Sequence, residues 1–122
     1  MNKIYEVTKE FSFESAHSLP HLPEDHKCHN LHGHSYVFVI CCRGELDARD
    51  FVVDYADISK VGNYLARYFD HENLNELLPF KTTAENLAKY IYEYCLNDDI
   101  LKDTIHHVIM KETASTTVTY PV

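Results

Sequence analysis

The chain has 122 residues, 45% of them hydrophobic and 12% aromatic, which is enough for one domain with a buried core but small for a self-contained active site. The formal net charge of −8, with no Lys/Arg cluster to offset it, argues against a nucleic-acid-binding surface. No apolar run approaches the length of a membrane span or resembles a signal peptide, so neither a membrane nor an exported protein is expected.

The first predicted element is a β-strand over Tyr5 to His17. Apolar residues fall on odd positions (Tyr5, Val7, Phe11, Phe13) and polar ones on even positions (Glu6, Thr8, Glu10, Ser12, Glu14), the period of a strand with one buried face, and His17 lies on that face. A loop follows from Ser18 to Leu31, with Pro20, Pro23 and the polar run Glu24-Asp25-His26-Lys27. The second strand runs from His32 to about Arg43. His32 and His34 share a face at i, i+2 spacing, and Tyr36, Phe38, Ile40 and Cys42 continue it. If the two strands pair as an antiparallel hairpin, His17, His32 and His34 converge on one point. Three neutral nitrogen ligands with one open position is the arrangement of a catalytic zinc site. The remaining histidines (His21, His26, His29, His106, His107) carry no such periodicity and are expected to be solvated.

Gly44 to Asp50 reads as a turn and Phe51-Val52-Val53 as a short extended piece. From Tyr55 the period becomes helical, with Ile58, Val61, Leu65 and Tyr68/Phe69 on one side and Asp54 or Asp57 as N-cap. Asp70-His71-Glu72-Asn73 ends that helix. A second helix opens at Thr82 or Thr83, where Thr82-x-x-Glu85 has the form of a capping box, and buries Leu87, Ala88, Ile91, Tyr94 and Cys95. Ile105 to Lys111 and Ser115 to Tyr120 read as two more strands. The order ββααββ predicts an α+β domain, residues 1–122, with an antiparallel sheet covered by helices on one face. Four strands leave two edges, so oligomerisation that extends the sheet is expected, with sites between subunits.

The four cysteines (Cys28, Cys41, Cys42, Cys95) form no Cys-x-x-Cys pair, and a reduced cytoplasmic compartment is expected. Adjacent Cys41 and Cys42 point to opposite faces of a strand as small core residues. Cys28, four residues before His32, is a candidate proton acceptor or nucleophile if a nearby cation favours its thiolate; a buried loop cysteine and a fourth zinc ligand are the alternatives. Asp70 beside His71 can fix the imidazole tautomer for acid–base work, or the pair can simply close the helix. Glu112, near the end of the penultimate strand, is either an exposed strand-end carboxylate or an acceptor for adjacent ring N–H donors. An anionic substrate would need a local positive site, which a metal, Lys27 and the imidazoles could supply. Backbone N–H groups at the start of the second helix could hold a ligand heteroatom.

Together these motifs resemble one family. Phe13-Glu14-Ser15-Ala16-His17, Cys28-x-x-Leu31-His32-Gly33-His34-Ser35, Asp70-His71-x-x-Leu74-Asn75, Ala84-Glu85-Asn86-Leu87-Ala88 and Lys111-Glu112-Thr113 stand in the order of the 6-pyruvoyltetrahydropterin synthase / 6-carboxytetrahydropterin synthase family. The spacing Cys-x-x-x-His-Gly-His resembles the bacterial 6-carboxytetrahydropterin synthases of queuosine biosynthesis. Animal pyruvoyl-forming members carry a longer insert there, and a third branch places a glutamate where this chain has Cys28.

The resemblance implies the tunnelling fold, with trimers closing a barrel and two trimers stacked into a homohexamer. It implies zinc on His17, His32 and His34, proton transfer by Cys28 with Asp70 and His71, and a pterin anchored by Glu112. Thr83, Ala84 and Glu85 would line the pterin pocket. Many relatives have Pro-Thr where this chain has Thr82-Thr83. The activity implied is a zinc-dependent lyase acting on a small-molecule pterin triphosphate, 7,8-dihydroneopterin triphosphate, with no nucleic acid or membrane partner. A pyruvoyl-forming enzyme and a non-catalytic zinc- or pterin-binding module are the alternatives.

Overall fold

A computed structural model describes residues 2–122. Strand β1 (Tyr5–His17) pairs antiparallel with β2 (His32–Gly44) along its whole length, from Tyr5 opposite Gly44 to His17 opposite His32. After the helices, β3 (Ile105–Lys111) returns beside β2 and β4 (Val118–Tyr120) beside β3. The result is one four-stranded sheet in the order β1-β2-β3-β4, with β1 and β4 at its edges. The period-2 pattern explains the register, because a slip of one residue would move Phe11, Phe13 and His17 from the core to the other face.

Helices α1 (Tyr55–Phe69) and α3 (Ala84–Leu96) cover one face of the sheet. Asp54 caps α1 by accepting a hydrogen bond from the Ala56 amide at 2.8 Å. Asp57 in the first turn and Arg67 in the last suit the helix dipole. Ile58, Val61, Gly62, Leu65 and Phe69 of α1 and Ala84, Leu87, Ala88, Ile91 and Cys95 of α3 are buried against Phe11, Phe13, Tyr36, Phe38, Ile40, Val108 and Met110. Phe11 stacks on Phe38 and Phe13 on Tyr36, with centroids 5.2 and 4.8 Å apart. Cys41 and Cys42 are both fully buried although they face opposite sides.

Several details depart from the sequence-based expectation. Beyond the two main helices there is a one-turn helix α2 (Leu74–Leu77) and a 3-10 turn at Leu101–Asp103. The last strand begins at Val118 rather than Ser115. Tyr94 is part-exposed rather than core. His107 is buried, not solvated, on the helix-free face opposite Cys41, with its Nδ1 2.9 Å from His106 Nδ1. Of the two candidate caps for α3, Thr83 is the one used. Thr83, not Thr82, accepts from the Asn86 amide at 3.2 Å, so the expected Thr82–Glu85 box is replaced by Thr83–Asn86.

Candidate metal centre and active site

The register that pairs His17 with His32 and Ser15 with His34 puts three imidazoles at one end of the hairpin, on the helix-covered face. Their centroids are 4.6, 4.8 and 5.3 Å apart, and one nitrogen from each lies within 4.8 Å of the others. His17 is fully buried and the other two are half-buried. His17 Nδ1 bonds the Thr82 carbonyl at 2.8 Å and lies 3.2 Å from its hydroxyl; His32 Nδ1 bonds the Asn30 carbonyl at 2.7 Å. Those carbonyls fix Nδ1 as the protonated nitrogen, which leaves Nε2 with a lone pair. The Nε2 atoms of His17 and His32 are buried and have no directed hydrogen-bond partner. Buried imidazole nitrogens left over in this way, oriented from behind by carbonyls, fit a divalent metal such as zinc. Burial first, and then the neighbouring imidazoles, hold His34 below its ordinary pKa although Glu112 opposes them, so the neutral ligand form is favoured.

Thr82 is a residue that sequence reasoning missed. The adjacent threonines look alike as caps, and only the tertiary structure assigns one to α3 and turns the other onto His17. The strand periodicity marks Tyr36 only as a core residue. Its hydroxyl is in fact buried and unpartnered, its ring lies 5.4 Å from that of His34, and burial reinforced by Glu112 pushes its pKa up.

Cys28 lies in the loop 18–31, half-buried and outside the histidine cluster. Its amide bonds His26 Nδ1 at 3.0 Å and its carbonyl accepts from the Leu19 amide at 2.8 Å. Asp70 and His71 sit on the free edge of β1. Asp70 accepts from the Glu14 amide at 2.8 Å and holds His71 Nδ1 at 2.8 Å, while the His71 amide donates to the Glu14 carbonyl. That hydrogen bond from Glu14, followed by the contact with His71, keeps the Asp70 carboxyl below its usual range. His71 adopts φ 56° and is 80% exposed. With Glu14, Gly33, His34 and Ser35 it lines an open depression. Ser15 Oγ contacts the Phe69 and Glu72 carbonyls at 2.6 and 2.7 Å, and the Ala16 amide donates to Glu72. Asn75 bonds both the amide and the carbonyl of Ser18. The segment 70–75 is thereby held along β1 next to the cluster.

Glu112 follows β3 and places Oε1 3.0 Å from His17 Nε2 and 3.5 Å from His34 Nε2. Thr83 and Ala84 are largely buried at the start of α3 and Glu85 is exposed; Lys27 is exposed in the loop beside Cys28.

The chain matches the profile of the 6-pyruvoyl tetrahydropterin synthase family over residues 6–121. It is 29% identical over 124 residues to a 6-carboxy-5,6,7,8-tetrahydropterin synthase of Haemophilus influenzae, covering 80% of this chain and 86% of that one. It is 34% identical over 93 residues to a protein of the same name from Synechocystis, covering 70% of each. Its fold superposes on the 6-pyruvoyl tetrahydropterin synthase of Caenorhabditis elegans with a TM-score of 0.87, at 29% identity over 98% of this chain and 96% of that one.

Proposed function

The chain belongs to the 6-pyruvoyl tetrahydropterin synthase family, and from that premise we propose that it is a zinc-dependent lyase. It converts 7,8-dihydroneopterin triphosphate and water to 6-carboxy-5,6,7,8-tetrahydropterin, acetaldehyde and triphosphate, a step towards deazapurines such as queuosine. The observation that carries the proposal is the convergence of His17, His32 and His34, with two orphaned Nε2 atoms, on one point. The short Cys28-to-His32 spacing and the activity for which two similar bacterial proteins are named favour the carboxy product over the pyruvoyl one.

His17, His32 and His34 would hold the zinc, which supplies a Lewis acid for the side-chain hydroxyls. Cys28 removes a side-chain proton. His71, its tautomer fixed by Asp70, accepts or delivers a second one. Glu112 takes the ring N–H donors and so sets the distance between the reacting carbons and these groups. The start of α3, at Thr83, Ala84 and Glu85, borders the ring, and Lys27 offers positive charge to the triphosphate. The exposure of His71 and the edge positions of β1 and β4 favour a homohexamer of two stacked trimers, in which a neighbouring subunit closes the pocket.

Incubation of the zinc-loaded protein with dihydroneopterin triphosphate, followed by mass spectrometry of the pterin and an assay for acetaldehyde, tests the assignment. Stoichiometric acetaldehyde and a carboxypterin are expected. A pyruvoyl pterin without acetaldehyde would overturn it in favour of simple triphosphate elimination, and no turnover would leave a binding module.

A further inference from the structure

We propose that His26 and His29 are positioning residues for Cys28, a clamp of two imidazoles in which His26 accepts a hydrogen bond and His29 donates one. The proposal deepens the lyase reading and rests on it, because the place of Cys28 matters to turnover only if its thiol moves a substrate proton.

The segment between β1 and β2 is a ring of successive turns. The Leu22 amide donates to the Leu19 carbonyl at 3.1 Å, the His26 amide to Pro23 at 2.9 Å and the His29 amide to His26 at 3.0 Å. The Leu19 amide donates to the Cys28 carbonyl at 2.8 Å and ties the two ends of the ring together. Among the described residues, the only side-chain hydrogen bonds within segment 19–29 are those of His26 and His29. A compact loop of this kind is held by its own contacts rather than by a ladder, so the few that exist decide where Cys28 stands.

The two rings work in opposite senses. The Cys28 amide can only donate, so His26 Nδ1, 3.0 Å away, is an unprotonated nitrogen and the ring proton sits on Nε2. The Leu22 carbonyl can only accept, so His29 Nδ1, 2.9 Å away, carries a proton. Cys28 occupies the third position of the His26–His29 turn, with its amide held by His26 and its carbonyl by Leu19. With both sides of its backbone fixed, the thiol keeps little freedom beyond rotation about χ1. A side chain that accepts from the amide two residues on is the arrangement asparagine and aspartate make in an Asx-turn; here an imidazole makes it. His26 is exposed, whereas Cys28 and His29 are half-buried, so His26 holds the outer side of the turn and His29 the inner. His21, in the same loop, forms no such bond and serves as a control.

The clamp is read first without turnover. In the zinc-loaded protein at about pH 8, where an unperturbed imidazole is neutral, proton–nitrogen correlation spectra should show His26 as the Nε2–H tautomer and His29 as the Nδ1–H tautomer. His26→Ala should quicken hydrogen exchange at the Cys28 amide and lower kcat, each about tenfold, the scale of one hydrogen bond, with KM and zinc affinity little changed. His26→Asn, whose side-chain oxygen can accept from the same amide, should restore slow exchange and most of kcat. His29→Ala should lower kcat and His21→Ala should not. The same tautomer in both rings, a His26→Ala enzyme with wild-type kcat, or a His26→Asn enzyme as slow as His26→Ala would overturn the proposal. So would a fall in zinc affinity that matches the fall in kcat, because the loop would then act through the histidine cluster and not through Cys28. Failure of the lyase assignment would look different: wild type would form no acetaldehyde while the two tautomers and the slow Cys28 amide remained, and the clamp would stand without its catalytic purpose.

Discussion

Replacing Gly62 by alanine sets helix propensity directly against packing. Gly62 is buried in the middle of α1, where exchanging glycine for alanine would by itself stabilise the helix by about 1 kcal/mol. A methyl group at that position, however, would fall on the Phe11 ring against Cζ, Cε1 and Cε2, inside the 3.4 Å at which ordinary carbon contact begins. Phe11 cannot yield cheaply, because it is 6% exposed and stacked on Phe38. Moving the ring gives up about 0.5–1.5 kcal/mol of aromatic contact, and forcing the extra carbon into a filled core costs about 1–3 kcal/mol. The clash outweighs the propensity, and a net loss of about 2 kcal/mol is expected. For a chain of this length that corresponds to a fall in Tm of about 8 °C. Urea unfolding of wild type and Gly62→Ala at one fixed protein concentration reads the difference, since association would otherwise shift both midpoints. Phe11→Leu in the Gly62→Ala background should recover part of the loss, so that the two changes cost less together than the sum of each alone. A Gly62→Ala protein as stable as wild type, or more so, would refute the tight α1–β1 contact on which the prediction rests.

Removing one imidazole, as in His32→Ala or His34→Ala, should lower zinc affinity at least about a hundredfold with little change in fold; chelator competition measures it, and near-native affinity would rule out the triad as the metal site. Cys28 should be the one cysteine that reacts with a thiol reagent at neutral pH, because Cys41, Cys42 and Cys95 are fully buried and burial pushes Cys41 up to about 11 and Cys95 up to about 12; more than one fast thiol per chain would contradict this. Burial holds His34 and His107 below their ordinary value near 6.5, so the unfolded chain takes up protons first and stability of the metal-free protein should fall as pH drops through about 6.5; a urea midpoint that stays level or rises on acidification would contradict it. Asp70→Asn can keep the acceptor for the Glu14 amide while turning an N–H donor towards His71 Nδ1, which reverses the tautomer. Turnover should drop about a hundredfold with metal affinity unchanged, and wild-type kcat would make the pair structural only.

The hairpin that carries the histidine cluster was legible because two independent periodicities agree on it. Alternation along β1 puts His17 on the buried face, and the i, i+2 spacing puts His32 and His34 on one face of β2; pairing in register then leaves a single point of convergence. Nothing comparable announces the segment 70–75. It adheres to the edge of β1 through hydrogen bonds of Glu14 with Asp70 and His71, of Ser15 and Ala16 with Glu72, and of Ser18 with Asn75, a mixture of side-chain and backbone pairings that leaves no periodic signal in the sequence. The division of labour between Thr82 and Thr83 was equally hidden, since both residues satisfy the chemistry of a cap and only the position of His17 distinguishes them. Burial of His107 depends on which residues β2 and β3 bring to the helix-free face, a long-range consequence of register that its own neighbours do not reveal.

The two halves of the site therefore differ in mechanical character. His17 and His32 are locked by the strand ladder in front and by carbonyls of Thr82 and Asn30 behind, so their nitrogens are preorganised before any metal arrives. His71 is fixed through its backbone and Asp70 but projects into solvent, and Cys28 rides on a fourteen-residue loop between the two strands that carry the histidine cluster. If the proposed roles hold, Cys28 and His71 would approach a substrate from outside the histidine cluster and leave His17 and His32 undisturbed. Glu112 belongs to neither half. It reaches from the end of β3 to 3.0 Å from His17 Nε2 and 3.5 Å from His34 Nε2, so its carboxylate bears on the charge of the histidine cluster from outside the hairpin.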